Sequence, residues 1–240
     1  MATGVIEFTG RGILLDVEGT TSAVAYVYDV MFPFARRGLG AYLDGNWDST
    51  DLRPVRKQVA TDTNYPATTE DRATFEAEIV QLMDGDVKAT GLKLLQGLIW
   101  EAGFKSGELV AHVFDDVPPA LQSWQANGVD LRIYSSGSVH AQKLFFGHTE
   151  AGNLLPYFSG HYDTTIGAKR EADSYARIAE EWDLKAGEIL FLSDVVTELD
   201  AARAAGMMTG LCMRPGNAPV KPGHGHGEIG GFGEIRLPKP

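Results

Sequence analysis

Gly12-Ile-Leu-Leu-Asp16-Val-Glu18-Gly-Thr20-Thr21 is the stretch on which the reading of this 240-residue chain turns. Three apolar residues run into a carboxylate, a second carboxylate follows two positions on, and Gly-Thr-Thr breaks the extended run. An apolar run without polar alternation predicts a parallel strand covered on both faces. Such a strand delivers its first polar residue to the carboxyl edge of the sheet, where open α/β folds bind ligands. Asp16 would stand at that mouth with Glu18 beside it. Two acids this close repel unless a cation separates them or one stays protonated. A hard divalent ion on carboxylate oxygens resolves the repulsion, and Mg²⁺, one per subunit, is the expected form. Read alone, the segment also fits an acid capping the next helix.

The rest of the chain repeats the strand-to-helix alternation. Helical patterns span Val117–Asn127, Val139–Phe146, Glu171–Trp182 and Glu198–Ala205; strand patterns span Asp130–Tyr134, Ile189–Leu192 and Thr209–Met213, with a short strand and turn in Tyr157–Asp163. That order predicts an α/β protein with a doubly wound parallel-sheet (Rossmann-like) core. Between the first strand and the rest lie only helical patterns: a short one from Leu43, then Leu52–Thr61, a third capped by Thr69 and running through Leu82, and Thr90–Glu101. Val24 to Phe34 is an apolar stretch that Pro33 interrupts. The expected division is an α/β catalytic core from residues 1–23 and 109–240, with an inserted α-helical cap at 24–108. Pro215–Pro240, rich in Gly and Pro, reads as a flexible surface loop. Within it His224-Gly-His226 lacks a nearby third metal ligand, and Phe232–Leu237 could add an edge strand.

A net charge of -11 argues against non-specific binding to nucleic acid or to an anionic membrane. No apolar stretch approaches the roughly 20 residues of a membrane span, and the N-terminus lacks a secretory pattern. The expected place is the cytoplasm, as a monomer acting on a small molecule. The lone Cys212 sits in an apolar run and reads as a buried, inert thiol.

Three strand ends present polar groups: Asp16 and Glu18, Ser135 and Ser136, and Ser193-Asp194. Lys169 precedes a helix in Gly167-Ala-Lys-Arg170. Carboxylates for a metal, hydroxyl and amide donors for an anion, and a lysine for negative charge together fit phosphoryl transfer to a carboxylate. Each member has a plainer reading: the serines and Asp194 as helix caps, Lys169 as solvated surface. Glu198 and Asp200, further along their helix, read as surface or supporting residues, and His148 and His161 as structural. No GxxxxGK[ST] string occurs, so a P-loop is set aside.

In order, Asp16-Val-Glu-Gly-Thr20, Ser135, Lys169 and Asp194 match the four motifs of the haloacid dehalogenase-like hydrolase superfamily, which the chain resembles. Glu18 departs from the Asp that most phosphatases of that superfamily carry two residues after the nucleophile. With Tyr134-Ser-Ser-Gly-Ser-Val139, Ala141-Gln-Lys-Leu144, Phe146-Gly-His148 and Arg214-Pro-Gly-Asn217, the chain is similar to the acireductone synthases, the enolase-phosphatases of methionine salvage. That resemblance implies a phosphorylated diketone, enolised and then dephosphorylated to acireductone. It implies Asp16 as nucleophile, Lys169 as charge partner, and Ser135 and Ser136 on substrate oxygens; the extra methylene of Glu18 gives it the reach of an acid/base, with a cap residue as the other candidate for the enolisation proton. It also implies Asp16, Glu18 and Asp194 as Mg²⁺ ligands, under a cap that closes to exclude water. A plain phosphomonoesterase without enolase activity is the alternative, and a binding module that has lost catalysis the more distant one.

Overall fold

A computed structural model of the chain describes residues 4–238. In chain order it contains β1 (Ile6–Glu7), β2 (Gly12–Leu15), α1 (Phe32–Asn46), α2 (Leu52–Thr63), α3 (Arg72–Asp84), α4 (Thr90–Ser106), α5 (Val117–Ala126), β3 (Asp130–Tyr134), α6 (Val139–Gly147), β4 (Gly160–Tyr162), α7 (Ala172–Trp182), β5 (Ile189–Ser193), α8 (Val196–Ala204), β6 (Met208–Cys212), β7 (Gly227–Ile229) and β8 (Ile235–Arg236). Residues up to Val27 and from Val110 onward form one compact unit, and Tyr28–Leu109 a second.

The first unit holds a six-stranded sheet in the order β4-β3-β2-β5-β6-β7, parallel throughout. The α/β class and doubly wound core expected from the sequence are borne out. All four residues of β2 and all five of β5 are buried, as strands covered on both faces must be. β2 pairs with β3 on one side and β5 on the other, so the chain reverses its direction of travel across the sheet at β2. That reversal puts Asp16 at the switch point, where a crevice opens at the carboxyl edge. On one face Tyr134, Tyr175, Trp182 and Phe191 pack with Leu199 and Ala202 of α8 into a shared core.

The second unit is a helical bundle whose core joins Leu39, Leu43, Val55, Val59, Phe75, Ile79, Leu95 and Ile99 from α1 to α4. α1 begins at Phe32 rather than near Leu43, continuing a π-helical turn over Tyr26–Met31 with Pro33 close behind the junction. Asp71, not Thr69, caps α3, accepting the Thr74 amide at 2.7 Å; Thr69 closes a short 3-10 turn instead. The tail also departs from the expected flexible loop. Gly227–Ile229 adds β7 to the edge of the sheet, and Ile235–Arg236 pairs with β1 in a separate two-stranded ribbon. His226 is buried there between Thr209 and Asp200, at 2.8 and 3.2 Å.

Gly91 of α4 lies against Val59 of α2. A methyl group at that position would lie 2.6 Å from Val59 Cγ2 and 2.7 Å from the Val59 nitrogen. Gly91→Ala should therefore cost about 1–3 kcal/mol by overpacking, read as a lower midpoint in chemical denaturation; an unchanged midpoint would refute this packing.

Candidate active site

β2 ends by handing Asp16 to the carboxyl edge, with its amide still bonded to Leu192 O of β5 at 3.0 Å. The Asp16 carboxylate is buried. Its Oδ1 accepts from the Val17 amide at 2.8 Å and from Lys169 Nζ at 2.6 Å, and its Oδ2 accepts from the Ser193 hydroxyl at 3.1 Å. Lys169, with its side chain only 6% exposed, reaches Glu198 Oε2 at 2.7 Å with the same ammonium. Burial opposes that charge, yet Asp16 and Glu198 outweigh it and hold the ammonium protonated above the usual lysine range. The loop presenting Lys169 is fixed by side chains on its carbonyls: Tyr134 on Gly167 at 3.0 Å, Ser174 on Ala168 at 2.8 Å and Tyr175 on Lys169 at 2.7 Å.

Of the two readings that the sequence left to Glu198, surface or supporting, the structure takes the second. Glu198 is buried, because α8 begins three residues after β5 ends and turns its first face back over the sheet edge. Burial and then Asp16 push its carboxyl up to about 7, against the pull of Lys169. The Ser193 hydroxyl stands 3.1 Å from both Asp16 and Glu198. Its single proton serves one acceptor at a time, while its oxygen accepts the Val195 amide at 3.1 Å. Asp200, by contrast, is exposed as expected.

Ser135, at the end of β3, accepts the Gly137 amide at 3.1 Å and donates to Glu18 Oε2 at 3.4 Å. Ser136 next to it is exposed. Ser138 caps α6 by accepting the Ala141 amide at 3.2 Å. Glu18 is half-buried, and burial followed by the Asp16 charge raises its carboxyl above the ordinary range. Asp194 follows β5; its carboxylate lies against Gly19 and leaves no room for a side chain there, and the Gly19 φ of 69° is a conformation that favours glycine. Burial and then Asp16 push Asp194 up to about 6, with Glu18 adding to the effect. His161 is structural, 3.2 Å from Gln142 Oε1, and burial followed by Lys143 drives it down to about 4.

Asp16, Glu18 and Asp194 thus crowd one another, whereas the ion pairs of Lys169 go to Asp16 and Glu198. The Asp16 charge raises the proton affinity of both Glu18 and Asp194, and carboxylates so placed suit a hard divalent cation by the chemistry of their oxygens. Among the described residues no three His, Cys, Asp or Glu side chains already stand as a finished metal cage.

The haloacid dehalogenase-like hydrolase family matches residues 11–206. The chain is 47% identical over 232 residues to Enolase-phosphatase E1 of Stenotrophomonas maltophilia, an alignment spanning 95% of this chain and 99% of that one. With its Drosophila melanogaster namesake it shares 42% identity over 89% of this chain and 87% of that one. The chain belongs to the enolase-phosphatase family of haloacid dehalogenase-like hydrolases. The solved Unknown transcript 4 protein of Saccharomyces cerevisiae is 33% identical and superposes with a TM-score of 0.80 over 93% of this chain and 99% of that one. A HAD-hydrolase of Bacillus subtilis, bound to magnesium in its crystal, shares the fold at 20% identity and a TM-score of 0.57, over 94% of this chain and 96% of that one. The enolase-phosphatases are hydrolases, and this chain is an enzyme. Among its described residues no helix is long and apolar enough to cross a membrane.

Removing the Lys169 ammonium would strand two buried carboxylates. Lys169→Met should lower the unfolding free energy in metal-free buffer by about 3–5 kcal/mol, measured by urea denaturation; a loss below that of an ordinary surface substitution would contradict the buried triad.

Proposed function

We propose that this chain is a cytoplasmic, monomeric, Mg²⁺-dependent enolase-phosphatase of methionine salvage. It converts a diketo-methylthiopentyl phosphate to dihydroxy-keto-methylthiopentene (acireductone) and phosphate. The observation that carries this reading is the buried Lys169 ammonium on Asp16 Oδ1, at the end of the central strand, with Glu18 two residues away. The enolase-phosphatase relatives support it over most of the chain.

The residues divide the work. Glu18, raised in proton affinity, takes the carbon-bound proton of the diketone and returns a proton to the carbonyl oxygen, giving an enol phosphate. Glu18, left as a carboxylate, takes up a proton from solvent; Asp16 then attacks phosphorus, its oxygen–phosphorus bond forming as the ester phosphorus–oxygen bond breaks, and the leaving oxygen takes that proton from Glu18. Water, deprotonated by Glu18, cleaves the aspartyl-phosphate and restores the Asp16 carboxylate with release of phosphate. Lys169 offsets the charge gathered on Asp16 and the phosphoryl oxygens, and Glu198 holds Lys169 in place. Ser135, tied to Glu18, and the neighbouring Ser136 offer hydroxyls to substrate oxygens. Asp16, Glu18 and Asp194 are the oxygen donors that would hold Mg²⁺, which when bound neutralises phosphate charge and polarises a substrate carbonyl.

With the diketo phosphate and Mg²⁺, the wild-type enzyme should yield acireductone by absorbance and an equal amount of phosphate. Asp16→Asn should abolish phosphate release, and Glu18→Gln should slow acireductone formation by about 10²–10⁴-fold. Phosphate release by Asp16→Asn would overturn the nucleophile assignment, and phosphate without acireductone from wild type would mark a plain phosphomonoesterase.

A further inference from the structure

The loop that carries Glu18 is wound on itself. The amides of Thr20, Thr21 and Ser22 converge on the Val17 carbonyl at 3.3, 3.0 and 3.0 Å, and the Gly19 amide bonds to Ser22 O at 2.8 Å. Winding consumes the amides and turns the Gly19 and Thr20 carbonyls outward. Both are taken by the segment that follows β6. Asn217 Nδ2 donates to Gly19 O at 2.8 Å, and Arg214 Nε donates to Thr20 O at 3.0 Å.

Each donor is anchored on its other side. Asn217 Nδ2 also donates to Cys212 O at 3.0 Å, so two carbonyl acceptors fix which end of the amide faces the loop. The Arg214 side chain is 4% exposed. Its Nη1 meets Asp116 Oδ1 and Oδ2 at 2.8 and 2.9 Å, and its guanidinium lies 4.6 and 4.7 Å from the ring centroids of Phe114 and Phe232. Asp116 in turn accepts the Phe232 amide at 2.6 Å. The grip on the loop therefore reaches Phe232, ahead of β8.

Apart from the Thr21 hydroxyl, which donates to its carbonyl at 3.3 Å and also to Val17 O at 3.2 Å, Asp16 is held from outside this grip. Its amide is bonded to β5 and its carboxylate to Lys169 and Ser193. Glu18 lies between the secured Asp16 and the two gripped carbonyls, and its own side-chain bond to Ser135 is long, at 3.4 Å. We propose that Arg214 and Asn217 are positioning residues which set Glu18 in register with Asp16, so that proton transfer depends on them more than nucleophilic attack does. What Glu18 does is taken from the proposed function; the grip itself is independent of it.

Asn217, half-buried, is the variant to use, since Arg214 is packed into the core. In Asn217→Ala, amide hydrogen exchange over Gly19–Ser22 should quicken about tenfold, with β2 and β5 unchanged. Turnover of the diketo phosphate should fall about 10–100-fold in kcat at constant KM. The first-turnover burst of nitrophenolate from nitrophenyl phosphate should be kept, because that leaving group departs without a proton from Glu18. Asn217→Gln, which retains the amide, should recover part of the loss. Unchanged exchange in the loop overturns the proposal, as does a parallel loss of burst and diketone turnover. If the wild type leaves the diketo phosphate untouched, the functional reading fails, and the exchange measurement alone decides whether the grip exists.

Discussion

Placing the Lys169 ammonium between the carboxylates of Asp16 and Glu198, away from water, constrains four stretches of chain at once. None of the three charges is tolerable there alone, since the desolvation penalty of an unpaired buried ion is several kcal/mol. β2 must deliver Asp16, the loop before α7 must deliver Lys169, the end of β5 must deliver Ser193, and the first turn of α8 must deliver Glu198. The sheet makes this possible: β2 and β5 are neighbours in register, Leu15 against Leu192, so Asp16 and Ser193 leave the sheet side by side.

Two carboxylates two residues apart are thereby given unlike surroundings. Asp16 is fixed by a lysine, a hydroxyl and its own strand, the condition for a nucleophile that must meet phosphorus in one orientation. Glu18 is half-buried on a wound loop, with a raised proton affinity and a backbone held from behind by Arg214 and Asn217. A group that exchanges protons gains from such a setting, and separating the environments of neighbouring acids is how one site runs both kinds of chemistry.

Strand ends were legible in the sequence because an apolar run that stops at a polar residue has one reading in a parallel sheet. Asp16, Ser135 and Asp194 all follow that pattern, and the central strands lie within a residue of their expected bounds. Glu198 was legible only as surface or supporting, for an acid in the first turn of a helix ordinarily answers the helix dipole in solvent. Only its pairing with Lys169 distinguishes it, and that pairing spans 29 residues of chain. Ser136 shares the motif of Ser135, but the turn leaves it exposed where Ser135 is buried. β7 is written in Gly-Glu-Ile, too short for periodicity, and exists because β6 offers it a ladder. Arg214-Pro-Gly-Asn217 was visible as a string, but its targets are backbone carbonyls, which leave no trace in side-chain sequence.

The atom that receives the phosphoryl group decides whether Asp16 is the nucleophile. Quenching the enzyme during turnover and reducing it with borohydride converts an aspartyl-phosphate to homoserine, which mass spectrometry of the peptides locates. The modification is expected at Asp16 and at no other acid. Homoserine at Asp194, or phosphate released with no reducible acyl-phosphate at any carboxylate, would contradict it.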